Sequence, residues 1–113
     1  MITTDDGIAI VRAVGDLDMR SDTASQRRLL DQAATAWGLV ADLLDVPFAD
    51  SAGLDALVRA HVACTANSGQ FAIATRSESI LRVMDVTGYG DVLHITGSVD
   101  EACVELRRLA GLP

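Results

Sequence analysis

The sequence predicts one α/β domain, a mixed and mainly parallel β-sheet of about five strands with about four helices packed on it. Three observations carry the prediction. Short β-prone runs alternate with segments of helical period along the chain. Gly, Ser, Asn or Asp marks nearly every change of period. An Asp6-Gly7 pair between the first two β-prone runs adds a hairpin, and so an antiparallel element, to an otherwise parallel pattern.

Residues 1–4 and 8–14 are the two arms of that hairpin, joined where Asp-Gly tolerates positive φ. Residues 15–18, Gly15-Asp16-Leu17-Asp18, end the second arm as a loop. Ser21, Asp22 and Thr23 are all good N-cap types. Leu29, Leu30, Ala33, Ala34 and Trp37 then recur at helical spacing, which predicts a helix ending near Gly38. Residues 39–43 read as a short buried strand, and residues 45–53, with Pro47, as a loop. The clearest helix follows, with Leu54, Leu57, Val58, His61, Val62 and Thr65 on one face and Asn67-Ser68-Gly69 as its stop. Residues 71–75 are a strand. Ser77 caps a short helix carrying Ile80, Leu81 and Met84, closed by Gly88. Residues 92–95 are the last strand. Ser98-Val99-Asp100-Glu101 has the spacing of a capping box and opens a final helix with Ala102, Leu106 and Leu109.

The chain has 113 residues, the size of one domain (1–113), with no repeat, linker or low-complexity stretch. It is half hydrophobic but only 4% aromatic, so its core must be built from Ala, Val, Leu and Ile. The net charge of −7 argues against nucleic acid, whose phosphates select clustered cations. All nine basic residues are arginine, and they are scattered. An acidic surface suits a protein partner with a basic patch. Cys64 and Cys103 belong to no CxxC or Cys/His cluster and read as two small buried thiols. The N-terminus starts polar and no apolar run is long enough to span a bilayer, so the expectation is a cytoplasmic protein without membrane contact.

Two loops stand at the carboxyl ends of strands, where open α/β sheets bind ligands and partners. They are residues 15–18 and Phe48-Ala49-Asp50-Ser51-Ala52-Gly53-Leu54. Ser51 is placed just before the strongest helix. Either Asp50 or Ser51 serves as its N-cap, and Gly53 permits a close approach. A cap and a phosphorylation site are compatible, because a helix N-terminus tolerates the charge of about −1.5 to −2 on a phosphoserine.

The string Phe48-Ala49-Asp50-Ser51-Ala52-Gly53-Leu54 resembles the signature of STAS domains, specifically the anti-sigma factor antagonists, whose members carry an aromatic residue and then Asp-Ser-(Ser/Thr/Ala)-Gly-Leu. Gly15-Asp16-Leu17-Asp18 is similar to their Gly-Glu-Leu-Asp element. Leu81-Arg82-Val83-Met84-Asp85-Val86-Thr87-Gly88-Tyr89 resembles their late Leu-x-x-(Thr/Ser)-Gly-Leu segment, and Ser98-Val99-Asp100-Glu101-Ala102 the start of their final helix. The motifs occur in order over nearly the whole chain. The departures are Ala52 where Ser or Thr is frequent, Tyr89 for Leu and Asp16 for Glu.

The resemblance implies a two-state binder. The unphosphorylated form engages an anti-sigma factor with serine kinase activity and so releases a sigma factor. Phosphorylation at Ser51 abolishes binding, and a phosphoserine phosphatase restores it. The partner-binding residues it implies are Asp18, Asp50, Ser51, Ala52, Gly53 and Leu54, with no catalytic residue, metal or cofactor. A non-switching adaptor or scaffold, of the stressosome or lipid-transporter type, is the alternative within the same family.

Other classes lack their parts. A serine nucleophile needs a nearby base. His61 lies roughly 15 Å further along the helix that follows Ser51, at about 1.5 Å per residue, and His94 falls in a late strand. Asp18, Asp50 and Asp55 could hold Mg²⁺, but solvated loop carboxylates, or pairing with Arg20 or Arg59, explain them as well. Asp42-Leu43-Leu44-Asp45-Val46-Pro47 mimics the phospho-acceptor strand of a receiver domain and Asp5-Asp6 its acidic pair, yet the late lysine that receivers need is missing from a lysine-free chain, and Asp5-Asp6 precedes the first firm strand instead of following it. No Gly-rich phosphate loop supports a nucleotide site.

Overall fold

A computed structural model describes residues 2–4, 6–14 and 23–111. Strand β1 (Ile2–Thr3) turns through Gly7, at φ 92°, into β2 (Ile8–Val14). Helix α1 (Thr23–Ala33), β3 (Gly38–Asp45), α2 (Ser51–Ala66), β4 (Gln70–Ala74) and α3 (Glu78–Thr87) follow. A 3₁₀ turn at Tyr89–Asp91 leads to β5 (His94–Thr96) and α4 (Val99–Leu109). The sheet has the order β1-β2-β3-β4-β5, with β1 antiparallel to β2 and the other neighbours parallel. The predicted mixed α/β domain, with its hairpin at one edge, is the fold.

Strand alternation sorts the core into two layers. Ala9, Val11 and Ala13 of β2, Leu39, Ala41 and Leu43 of β3, and Phe71 and Ile73 of β4 face one side. There they meet Leu29 and Ala33 of α1, Leu54, Leu57, Ala60 and Cys64 of α2, and Ile80 and Met84 of α3. Ile8, Val40 and Ala72 face the other side, against Ala102, Cys103 and Leu106 of α4. Successive parallel strands advance in one direction across the sheet. Crossovers of one hand therefore put α1, α2 and α3 on the same face, and only the terminal α4 returns to the opposite one. Each fully buried leucine, such as Leu57, contributes about 1.5–3 kcal/mol through its removal from water.

Several boundaries differ from the sequence reading. Helix α1 stops at Ala33, short of Trp37. The side-chain amide of Asn67, the C-cap residue of α2, donates to the carbonyls of Ala33 (3.2 Å) and Ala34 (3.0 Å) and ties the ends of α1 and α2 together. Trp37 leaves the helix line and packs against the α4 layer, its Nε1 donating to the Asp6 carbonyl at 2.5 Å. On α2 the buried line runs Leu54, Leu57, Ala60, Cys64, while Val62 is 60% exposed. Small Ala60 lets the helix lie close to the sheet, and the helix is rotated accordingly. Leu81 is likewise more exposed than its predicted core role. Strand β3 extends through Gly38 and Asp45, and β5 begins two residues later than predicted because the 3₁₀ turn occupies the chain before it.

Capping follows the residue types closely. Ser77 accepts from the Ile80 N–H and Gly88 closes α3 at φ 79°. Ser98 accepts from the Glu101 N–H, while the Glu101 carboxylate reaches back to the Gly97 N–H at 3.1 Å. Both cysteines are free and buried. Burial raises the Cys64 thiol to about 11, so it carries no thiolate at neutral pH.

Candidate functional site

The carboxyl edge of the parallel strands carries the segment between β3 and α2. Two apolar anchors hold it. Ala49 is 2% exposed and Leu54 is 3% exposed, both in the large core layer. Between these anchors the chain passes over the sheet edge at the surface. Asp50 has extended backbone, φ −89° and ψ −173°, and its Oδ1 accepts from the Gly53 N–H at 2.9 Å. Its carbonyl accepts from the Leu54 N–H at 2.9 Å. Asp50 is therefore the N-cap of α2, which decides between the two residues that the sequence left open.

Ser51 is the first residue of α2, and not the last residue before it. Residues 51–53 belong to the helix, so the loop is shorter than predicted. Because a carboxylate already satisfies the Gly53 donor, the Ser51 hydroxyl is not needed as a cap. It is exposed, and among the described residues it has no hydrogen-bond partner. Ala52 is half-buried, and Gly53 and Leu54 are buried. Of the motif, Ser51 and Asp50 meet solvent, whereas Gly53 and Leu54 hold the helix start against the core. Phe48 also turns outward, at 42% exposed.

A second contact fixes this loop. The Ser77 hydroxyl, while accepting from Ile80, donates to the Pro47 carbonyl at 2.7 Å. One serine thus caps α3 and ties the Ser51 segment to the neighbouring crossover. The sequence identified Ser77 only as a cap, because its partner lies 30 residues away. Nearby, Arg76 Nε donates to the Gly97 carbonyl at 2.8 Å, joining the β4–α3 and β5–α4 connections on the same edge.

Strand β2 reaches this edge at Val14, opposite Asp45. The sequence-predicted loop at residues 15–18, including Asp18, lies outside the described residues. Asp55 pairs with Arg59 at 2.8 Å, the pairing with arginine that the sequence offered for it. Among the described residues, no three His, Cys, Asp or Glu side chains converge as a metal site. His61 packs beside Phe71, ring centres 6.4 Å apart, and His94 lies in β5. Burial, and then the nearby charge of His94, holds the His61 imidazole below its usual value. No helix among the described residues is long and apolar enough to cross a membrane.

Comparison with known proteins identifies the family and the fold. The family model of the STAS domain matches residues 1–102. The anti-sigma-B factor antagonist of Bacillus subtilis (strain 168) is 28% identical over 86 residues, covering 76% of this chain and 79% of that protein. An anti-sigma factor antagonist from Mycobacterium paratuberculosis superposes with a TM-score of 0.83 at 25% identity, covering 95% of this chain and 92% of that one. A sulfate transporter family protein from Wolinella succinogenes shares the fold, with a TM-score of 0.76 at 16% identity over 98% of this chain and 93% of that one. A fold found in both settings does not select a function. That has to come from the site.

Proposed function

The chain belongs to the STAS domain family, and we propose that it acts within that family as an anti-sigma factor antagonist switched by phosphorylation at Ser51. It works by binding a protein, not by catalysis, and it does so in the cytoplasm. Its partner is an anti-sigma factor with serine kinase activity, which the unphosphorylated form occupies so that a sigma factor is released. A phosphoserine phosphatase resets the switch.

One observation carries this reading. Asp50 takes the capping role, so the exposed hydroxyl of Ser51 stands at the head of α2 without structural duty. A kinase can reach such a hydroxyl, and modifying it removes no hydrogen bond that the fold needs. The added charge of about −1.5 to −2 sits at the positive end of a helix dipole, where the folded state tolerates it. The same charge next to Asp50 changes the surface offered to the partner. An interface matched to a neutral hydroxyl then meets a bulky dianion in a chain that already carries −7. Loss of about 3 kcal/mol at such a contact lowers affinity roughly a hundredfold without any change of shape.

Ala52 borders the proposed contact surface, Gly53 and Leu54 hold it from beneath, and Asp18 is a further partner-binding residue that the family resemblance implies. The test is parallel affinity capture from host lysate with wild type, Ser51→Ala and Ser51→Glu, read by mass spectrometry. Wild type and the alanine variant recover an anti-sigma factor of the kinase type, and the glutamate variant does not. Equal recovery by all three makes the protein a constitutive adaptor and sets the switch aside.

A further inference from the structure

At the opposite edge of the sheet, where the parallel strands begin, lies a cavity of about 560 Å³ lined by Asp6, Trp37, Ser68, Gln70 and Ala110. Its size falls within the usual range for small-molecule sites, about 300–1,000 Å³. It is independent of the Ser51 motif, which sits at the carboxyl ends of the same strands.

The walls combine an aromatic side chain with the carboxyl ends of two helices. Trp37 is the only tryptophan of the chain. Its ring is held in place by the Nε1 bond to the Asp6 carbonyl and by Gly7, where a Cβ would come within 3.0 Å of Nε1. The carboxyl ends of α2 and α4 reach the cavity through Ser68 and Ala110, and the Asn67 amide brings the end of α1 alongside. Helix carboxyl ends carry about half a negative charge each. Neither α1 nor α2 has a basic side chain in its last turn. Helix α4 has two, but Arg107 is paired with Asp6 at 2.6 Å and Arg108 with Glu105 at 2.5 Å. Ser68 supports the same reading. It occupies a left-handed conformation, φ 60°, that glycine would adopt without strain, and it lines the cavity with a residue type whose hydroxyl can accept a hydrogen bond. The Gln70 carboxamide adds an acceptor beside it.

We propose that this cavity binds a small organic cation, with its ammonium head on the indole face of Trp37 and its N–H or O–H groups donated to Ser68 and Gln70. A tryptophan face is the strongest of the aromatic cation receptors.

The full chain is titrated with choline, spermidine and agmatine, and with 3,3-dimethylbutanol, the neutral isostere of choline, in about 150 mM salt to screen non-specific attraction. Trp37 emission and backbone amide shifts are followed together. At least one cation is expected to saturate the emission change, shift Gly7, Ser68 and Gln70, and bind at least about tenfold more tightly than the neutral alcohol. Trp37→Leu abolishes binding measured by calorimetry. Gln70→Leu leaves the packed indole intact and weakens binding, which separates lost recognition from lost folding. Ser51→Glu binds as wild type does, so this result stands or falls apart from the phosphorylation reading. Equal binding of the neutral alcohol, or no saturable response to any of the three cations up to about 10 mM, overturns the proposal.

Discussion

The Asp50 carboxylate accepts the Gly53 N–H at 2.9 Å and so relieves Ser51 of capping α2. This pair explains how one short segment can be both a helix start and a surface that is open to modification. Asp50→Ala should destabilise the fold by about 1 kcal/mol, the usual cost of a lost N-cap. Asp50→Asn keeps an acceptor and should lose much less. Chemical denaturation of the three proteins checks this. In contrast, Ser51→Ala should leave stability within about 0.5 kcal/mol of wild type, because a surface substitution without a structural partner has little to lose.

Ser77 supports the same surface from the side. Ser77→Ala removes both the α3 cap and the bond to the Pro47 carbonyl. The expected cost is about 1–2 kcal/mol. Amide hydrogen exchange should accelerate at residues 46–51 as well as at the start of α3. Ser77→Thr, which keeps the hydroxyl, should restore protection at both places. Faster exchange at α3 alone would mean that the Pro47 contact does not hold the loop.

Asp6 and Arg107 join the hairpin to α4 across 101 residues of chain, at 2.6 Å. Hydrogen bonds from Arg107 and then Thr4 hold the Asp6 carboxyl at about 2, well below an ordinary aspartate. A depressed carboxyl binds its proton more readily when unfolded. The pair's contribution is therefore present above about pH 4 and fades as pH falls towards 2. Carbon-detected titration of Asp6 should give a midpoint near 2. Asp6→Asn should flatten the stability profile across that interval.

His61 acts in the neighbouring range with the same direction of slope. Its pKa is lowered by burial and by His94, and its Nδ1 is buried without a partner among the described residues. The unfolded chain takes up a proton near pH 6.5 and the folded one only at lower pH. Stability should therefore decline as pH drops below about 6.5 and level off once the folded imidazole is protonated. His61→Leu should remove this decline, and thermal melts between pH 5 and 7 measure it.

Legibility in the sequence follows the range of the interaction concerned. The Asp6-Gly7 hairpin and the caps Ser77 and Ser98 rest on local chemistry, and all stand where residue type places them. Trp37 continues the helical spacing of α1 but leaves the helix, because Asn67 takes the carbonyls of Ala33 and Ala34 from across the fold. Val62 fits an apolar stripe on paper, yet Ala60 is the residue that touches the sheet. Periodicity alone cannot weigh a small side chain that permits close approach against a larger one that fills space. At the site, the motif from Phe48 to Leu54 was readable as a unit. The choice of cap between Asp50 and Ser51 was not, because both residue types cap helices equally well. The Ser77–Pro47 bond left no mark in the sequence.

The most direct measurement of the switch uses the purified anti-sigma partner recovered with wild type. The chain is incubated with that partner and ATP, the phosphate is located by mass spectrometry, and the affinity of the modified chain is compared with that of the unmodified one. The account predicts a single phosphate on Ser51, no modification of Ser51→Ala, and affinity lowered roughly a hundredfold, equivalent to about 3 kcal/mol. Modification at another residue, or unchanged affinity with Ser51 fully phosphorylated, would contradict it.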